Sequence, residues 1–189
     1  MNHALNLAAA ALCCSAALPA SSQVLGNIVD AAHFQIDYAA PLVWGIGGTS
    51  HQRLAQTLTV EVGGTLAGVF VPVACGSGRL NVEIRDVAAG KPGPTVLDHR
   101  TVDAADLADT LGRFSYVRIP GALPLAAGQE IAIVLENKRG VCFARPSPVS
   151  SNYAGGQGFF EALPNPPGWV AFSDFVNTPD DLPFQLVLE

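Results

Sequence analysis

Histidine, serine and acidic residues would have to supply any catalytic or metal chemistry in this chain, and their spacing argues against both. Of four histidines, His3 lies in an apolar N-terminal run, while His33, His51 and His99 stand singly with no second histidine at metal-ligand spacing. Each reads as a surface or internally satisfied histidine. A Gly-x-Ser-x-Gly elbow is absent, and Gly45-Ile46-Gly47-Gly48-Thr49-Ser50 lacks the lysine and following helix of a phosphate loop, so it reads as a flexible loop. A triad of His51 or His99 with a serine and Asp86 would need the fold alone to assemble it. Asp103, Asp106 and Asp109 recur every three residues, and Asp180-Asp181 follows Asn177. Neither group matches the calcium loop with its central glycine and final glutamate, and both read as solvated connectors. The expectation is no catalytic residue, no metal ligand and no cofactor, with structural calcium at residues 177–181 as a minor option without a motif behind it. Asp86 ends a strand beside a Pro/Gly loop, where a carboxylate holds the turn.

Binding chemistry is better represented. Sugar rings present apolar C–H faces that stack on aromatic side chains, while nearby amides and carboxylates take the hydroxyls. Trp44, Tyr153 and Trp169 each lie beside a Gly- or Pro-rich loop rather than within an alternating strand, and Gln157, Asn152 and Asn165 place amides nearby. Trp44, Tyr153, Gln157 and Trp169 are therefore the expected ligand-binding residues, with core packing as the competing role of each aromatic. Phe159 and Phe160 alternate along a strand, which would put one of them outside.

The elements that position these side chains follow from composition. The chain has 189 residues, a net charge of −6 and only 14% charged residues, with 19 Gly and 14 Pro. That balance favours short strands and turns. Ten Lys and Arg scattered along the chain form no basic stripe, so nucleic acid is not an expected partner. Leu5–Leu18 is apolar and Ala-rich and gives way to Pro19-Ala20-Ser21-Ser22, a small-residue processing pattern. Residues 1–20 are read as an export signal and 21–189 as a single β-sandwich domain, secreted or periplasmic. The apolar run, about 14 residues, is short of the roughly 20 a membrane span needs, so the chain is not expected to cross a membrane. Cys13 and Cys14 leave with the leader. Cys75 and Cys142 remain as an even pair in an oxidising compartment and are expected to bond, two buried free thiols being the alternative.

From about residue 54, short β-branched runs alternate with Gly/Pro/Asp punctuation, the signature of a sandwich or barrel. Gln56–Val62 and Leu80–Arg85 alternate apolar and polar at period two, Leu66–Ala74 and Ile131–Leu135 read as buried strands, and Gly63-Gly64 reads as a turn. Further strands are expected near 95–102, 113–119, 158–162 and 184–188. Two prolines and two glycines make Asp86–Pro94 a loop. Asp103–Thr110 has room for one helical turn capped by Asp103.

Several segments also look familiar together: Leu54–Val60, Val82-Glu83-Ile84-Arg85-Asp86 with Gly90-Lys91-Pro92-Gly93, Ala127–Leu135, Tyr153-Ala154-Gly155-Gly156-Gln157, and Leu182-Pro183-Phe184-Gln185. Their order and spacing resemble bacterial extracellular jelly-roll modules described as choice-of-anchor or carbohydrate-binding-like domains. The resemblance implies an all-β, antiparallel jelly-roll-like sandwich of about eight to ten short strands, with a cysteine at each position matching Cys75 and Cys142. These motifs inform fold far more than function; the aromatic loops and the missing catalytic motifs give the expected function, a secreted, non-catalytic binding or surface-interaction module whose partner is a glycan or another cell-surface component. A structural or assembly protein of the cell envelope is the alternative, and a secreted hydrolase ranks third.

Overall fold

The computed structural model describes residues 26–40, 43–165, 167–174 and 181–189. The expected export signal and residues 177–180 of the calcium option lie outside them. The described residues contain no α-helix and fourteen strands: β1 (Ile28–His33), β2 (Trp44–Gly47), β3 (Arg53–Thr59), β4 (Gly63–Val71), β5 (Val73–Cys75), β6 (Arg79–Ala88), β7 (Lys91–Asp103), β8 (Ser115–Arg118), β9 (Pro124–Ala126), β10 (Glu130–Glu136), β11 (Val141–Ala144), β12 (Gly158–Glu161), β13 (Val170–Ala171) and β14 (Phe184–Leu188). Two-, three- and four-residue strands take this number above the expected eight to ten, because short loop segments also find pairing partners. Pairing is antiparallel in a six-stranded sheet, β13-β12-β3-β10-β6-β7, in a five-stranded sheet, β1-β14-β4-β8 with β9 on β4, and in a small sheet, β2-β11-β5. The molecule is an all-β sandwich. No helix among the described residues is long and apolar enough to cross a membrane.

Alternation builds the core. Leu80, Val82 and Ile84 of β6, Ile131, Ile133 and Leu135 of β10, and Leu54 and Leu58 of β3 face Leu66, Val69, Val117, Phe184, Leu186 and Leu188 of the five-stranded sheet. Burying each such side chain contributes roughly 1.5–3 kcal/mol. One charged group is built into this frame: the buried Asp30 carboxylate accepts the N–H groups of Glu61 (2.8 Å), Val62 (2.7 Å) and Gly63 (3.1 Å). It ties β1 to the β3–β4 turn. That turn falls at Glu61-Val62, and the expected turn glycines Gly63 and Gly64 instead open β4.

The segment read as a loop at Asp86–Pro94 is a β-hairpin. β6 runs to Ala88, β7 starts at Lys91, and Ala89 (φ 52°) with Gly90 (φ 74°) forms the two-residue turn with both φ values positive. Pro92 and Pro94 are accommodated because β7 is the edge of its sheet, where a missing N–H breaks no ladder. Asp103 does precede a single 3₁₀ turn, Ala104–Asp106, but its side chain makes no cap and pairs with Arg79.

Cys75 and Cys142 are bonded and stand directly opposite one another on β5 and β11.

Candidate functional site

The four predicted ligand-binding residues fall on different surfaces. Trp44 lies on β2 and packs into the main core, stacked on Phe172 at 4.5 Å between ring centroids and near Phe160 at 6.0 Å. Its Nε1 is buried without a partner. Tyr153 packs on the same core, edge-on to Phe184 at 5.1 Å, and its hydroxyl donates to the Thr59 carbonyl at 3.3 Å. Burial raises its pKa, against that hydrogen bond and with help from Glu61, Asp30 and Asp181. Gln157 is zipped to β3: its N–H donates to Thr57 Oγ1 (3.0 Å) and its carbonyl accepts the Thr57 N–H (3.0 Å). Trp169 packs on the opposite, outer face of the six-stranded sheet. The structure therefore does not gather the three aromatics on one surface.

That outer face carries a small second core. Register places Ala171, Phe159, Ala55 and Val134 in one row across β13, β12, β3 and β10. Phe159 and Phe160 do point to opposite faces, yet both are buried, because Trp169 and Val87 cover the outer cluster. The Arg53 guanidinium lies over the Trp169 ring, 5.0 Å from its centroid, and pairs with Glu161. Burial pushes the Glu161 pKa up, but the Arg53 hydrogen bond, the Gly168 N–H (2.8 Å) and the charges of Arg53 and Arg85 outweigh it and hold it below the ordinary carboxylate range. From the other side, Lys91 at the hairpin tip donates to the Trp169 carbonyl at 3.1 Å.

Beyond this cover the same row continues to Glu83 on β6 and His99 on β7, and there the face opens into a groove of about 740 Å³. Asn81, Glu83, Val96, His99 and Thr101 line it, with Arg79 at one end and Lys138-Arg139 above it. The floor is held by its own hydrogen bonds. Glu83 Oε1 accepts from Asn81 Nδ2 (2.8 Å), Oε2 accepts from Arg85 Nε (2.6 Å), and Asn81 Oδ1 accepts from the Thr101 hydroxyl (3.1 Å). The Glu83 and Arg85 side chains are only 12% and 14% exposed, so the pair is well shielded from water.

The upper lip is positioned by a residue that sequence reasoning passed over. Buried Asn137 donates through Nδ2 to the Ser77 carbonyl (2.9 Å) and to Cys142 Sγ (3.1 Å), and accepts the Arg139 N–H through Oδ1 (3.2 Å). It fastens the 137–140 turn to the 76–79 turn beside the disulfide. Gly140 allows the two turns to touch, since a Cβ there would overlap the Ser77 carbonyl. The available signal was the cysteine five residues after Asn137, which marked this turn as anchored.

Among the described residues no three His, Cys, Asp or Glu side chains converge to hold a metal ion. Asp181, from the calcium option, is buried and accepts from Gln56 Nε2 (2.8 Å) and the Tyr153 N–H (2.7 Å). No protein-family model, curated protein or solved structure matches the chain.

Proposed function

We propose that this chain is a secreted or periplasmic, non-catalytic binding module, related to the choice-of-anchor modules its motifs resemble, and that it binds a saccharide in the groove over β6 and β7. The carrying observation is the floor: an amide, a carboxylate and a hydroxyl held in one fixed network, with exposed Val96 beside them. Preorganised planar polar groups bind ring hydroxyls without paying rotamer entropy on contact, and Val96 offers an apolar surface to C–H groups. Among the described residues Glu83 is the one carboxylate lining the groove, and Arg85 and Asn81 already hold it. Glycoside hydrolysis needs two carboxylates flanking the bond, which favours binding over cleavage. The Cys75–Cys142 bond supports export, since such bonds persist in oxidising compartments.

A glycan array and polysaccharide pull-down with the purified chain tests this. Asn81→Ala and Thr101→Ala should abolish retention, whereas Trp44→Ala should act only through stability. Retention unchanged in both floor variants, or no retention on any glycan, would sink the proposal. The assembly alternative draws on β1, an edge strand that exposes Ile28 (46%) and Val29 (56%). Light scattering separates it: a strict monomer at high concentration excludes self-assembly through that edge.

A further inference from the structure

Resting on the saccharide reading, we infer that the groove selects an acidic saccharide, and that Arg139 receives its carboxylate. The chain carries ten Lys and Arg against sixteen Asp and Glu, yet Arg79, Lys138 and Arg139 all border this single groove, with Arg85 beneath it. Each of the other charges has a partner. Arg85 neutralises Glu83 within the floor, Arg79 pairs with Asp103 at 2.9 Å, and Lys138 pairs with Glu136 at 3.4 Å. The last two pairs are exposed and contribute little, so a ligand anion can compete for either cation. Arg139 makes no ion pair among the described residues.

The exposed Arg139 side chain, without an ion pair among the described residues, borders a polar floor and is free to receive a carboxylate. Its planar fork matches a carboxylate with two parallel hydrogen bonds, and Asn137 fixes the backbone of Arg139 so that less freedom is lost on binding. The floor then takes hydroxyls while the lip takes the charge. A sugar with a ring carboxylate, a uronate, carries both groups on one residue. The chain's net charge of −6 repels polyanions elsewhere, which confines such a ligand to this groove.

The test is isothermal titration of the full chain with oligomers of galacturonate, mannuronate and glucuronate, and with the carboxyl-reduced neutral form of each, at low and at moderate salt. At least one uronate should bind about tenfold more tightly than its reduced partner at low salt, and salt should narrow that gap. Arg139→Gln should bring the uronate to the affinity of the neutral oligomer, and an unchanged urea midpoint shows that the variant is folded. Asn81→Ala should weaken both. Equal affinity for the two forms overturns acid selectivity, and a preference that survives Arg139→Gln while Asn81→Ala weakens both overturns the assignment of the carboxylate to Arg139; either result leaves the saccharide reading intact. No binding by any of the six also overturns acid selectivity, and retention on the glycan array then decides whether the saccharide reading stands.

Discussion

Single side chains carry both the rigidity and the acid response of this sandwich. Asp30 satisfies three backbone N–H groups at the β3–β4 turn. Asp30→Ala should therefore cost about 2–3 kcal/mol in urea denaturation, with Asp30→Asn, which retains one acceptor oxygen, losing less. Two groups should set the pH dependence. Burial lowers the His33 pKa, against the Asp181 charge and a backbone hydrogen bond at Ser151, so the folded protein holds a neutral imidazole. With the folded value below the unfolded one, its contribution is complete above about pH 6.5 and is lost as pH falls from there toward the folded value. Glu161 is also depressed, so its contribution is complete above the ordinary carboxylate range and is lost as pH falls through its lower folded value. Urea midpoints across this range should fall in two separate steps, with His33→Gln removing the upper and Glu161→Gln the lower; a curve unchanged by either variant contradicts the assignment. Neither residue stood out in sequence. A lone histidine acquires its shift from burial that only the fold creates, and a strand-end glutamate acquires its own chiefly from Arg53, distant in the chain.

At the level of elements, two interlocked turns position the upper lip of the groove. Gly140→Ala would push the 137–140 turn off Ser77, so we expect saccharide affinity to fall at least several-fold with a modest loss of stability, about 1–3 kcal/mol. Calorimetry and denaturation on one sample separate the two effects. β6 was readable because Leu80, Val82 and Ile84 alternate with wetter positions, and β10 because its continuous apolar run, Ile131–Leu135, is buried on both faces. β1 was not, because its inward positions include Asp30 and His33, polar residues whose burial depends on partners far along the chain. The first half of β7 was hidden by prolines that only an edge position excuses. The groove floor was half visible: Asn81, Glu83 and Arg85 were readable as the wet face of β6, but their pairing with Thr101 and His99 follows from a hairpin register shifted by bulges. Trp44 and Tyr153 pack closer to the core than their sequence neighbours suggest. Neighbouring glycines suggest exposure, and packing against the core leaves both partly buried.

For the molecule as a whole, the disulfide links stability to the shape of the groove. It spans 67 residues of sequence, and constraining such a loop in the unfolded chain is worth about 4 kcal/mol. Replacing both Cys75 and Cys142 by alanine should lower stability by about that amount, read as a shift in urea midpoint. It should also weaken ligand binding under conditions where the variant remains folded, since Cys142 is one of the partners of Asn137. The central claim is that the ligand lies on the outer face of the six-stranded sheet over β6 and β7. Amide chemical-shift mapping of the isotopically labelled chain during titration with a binding oligosaccharide tests it most directly. The predicted result is perturbation concentrated at Asn81, Glu83, His99, Thr101 and Arg139. Shifts confined to Tyr153, Gln157 and Trp169, with that groove silent, would contradict it.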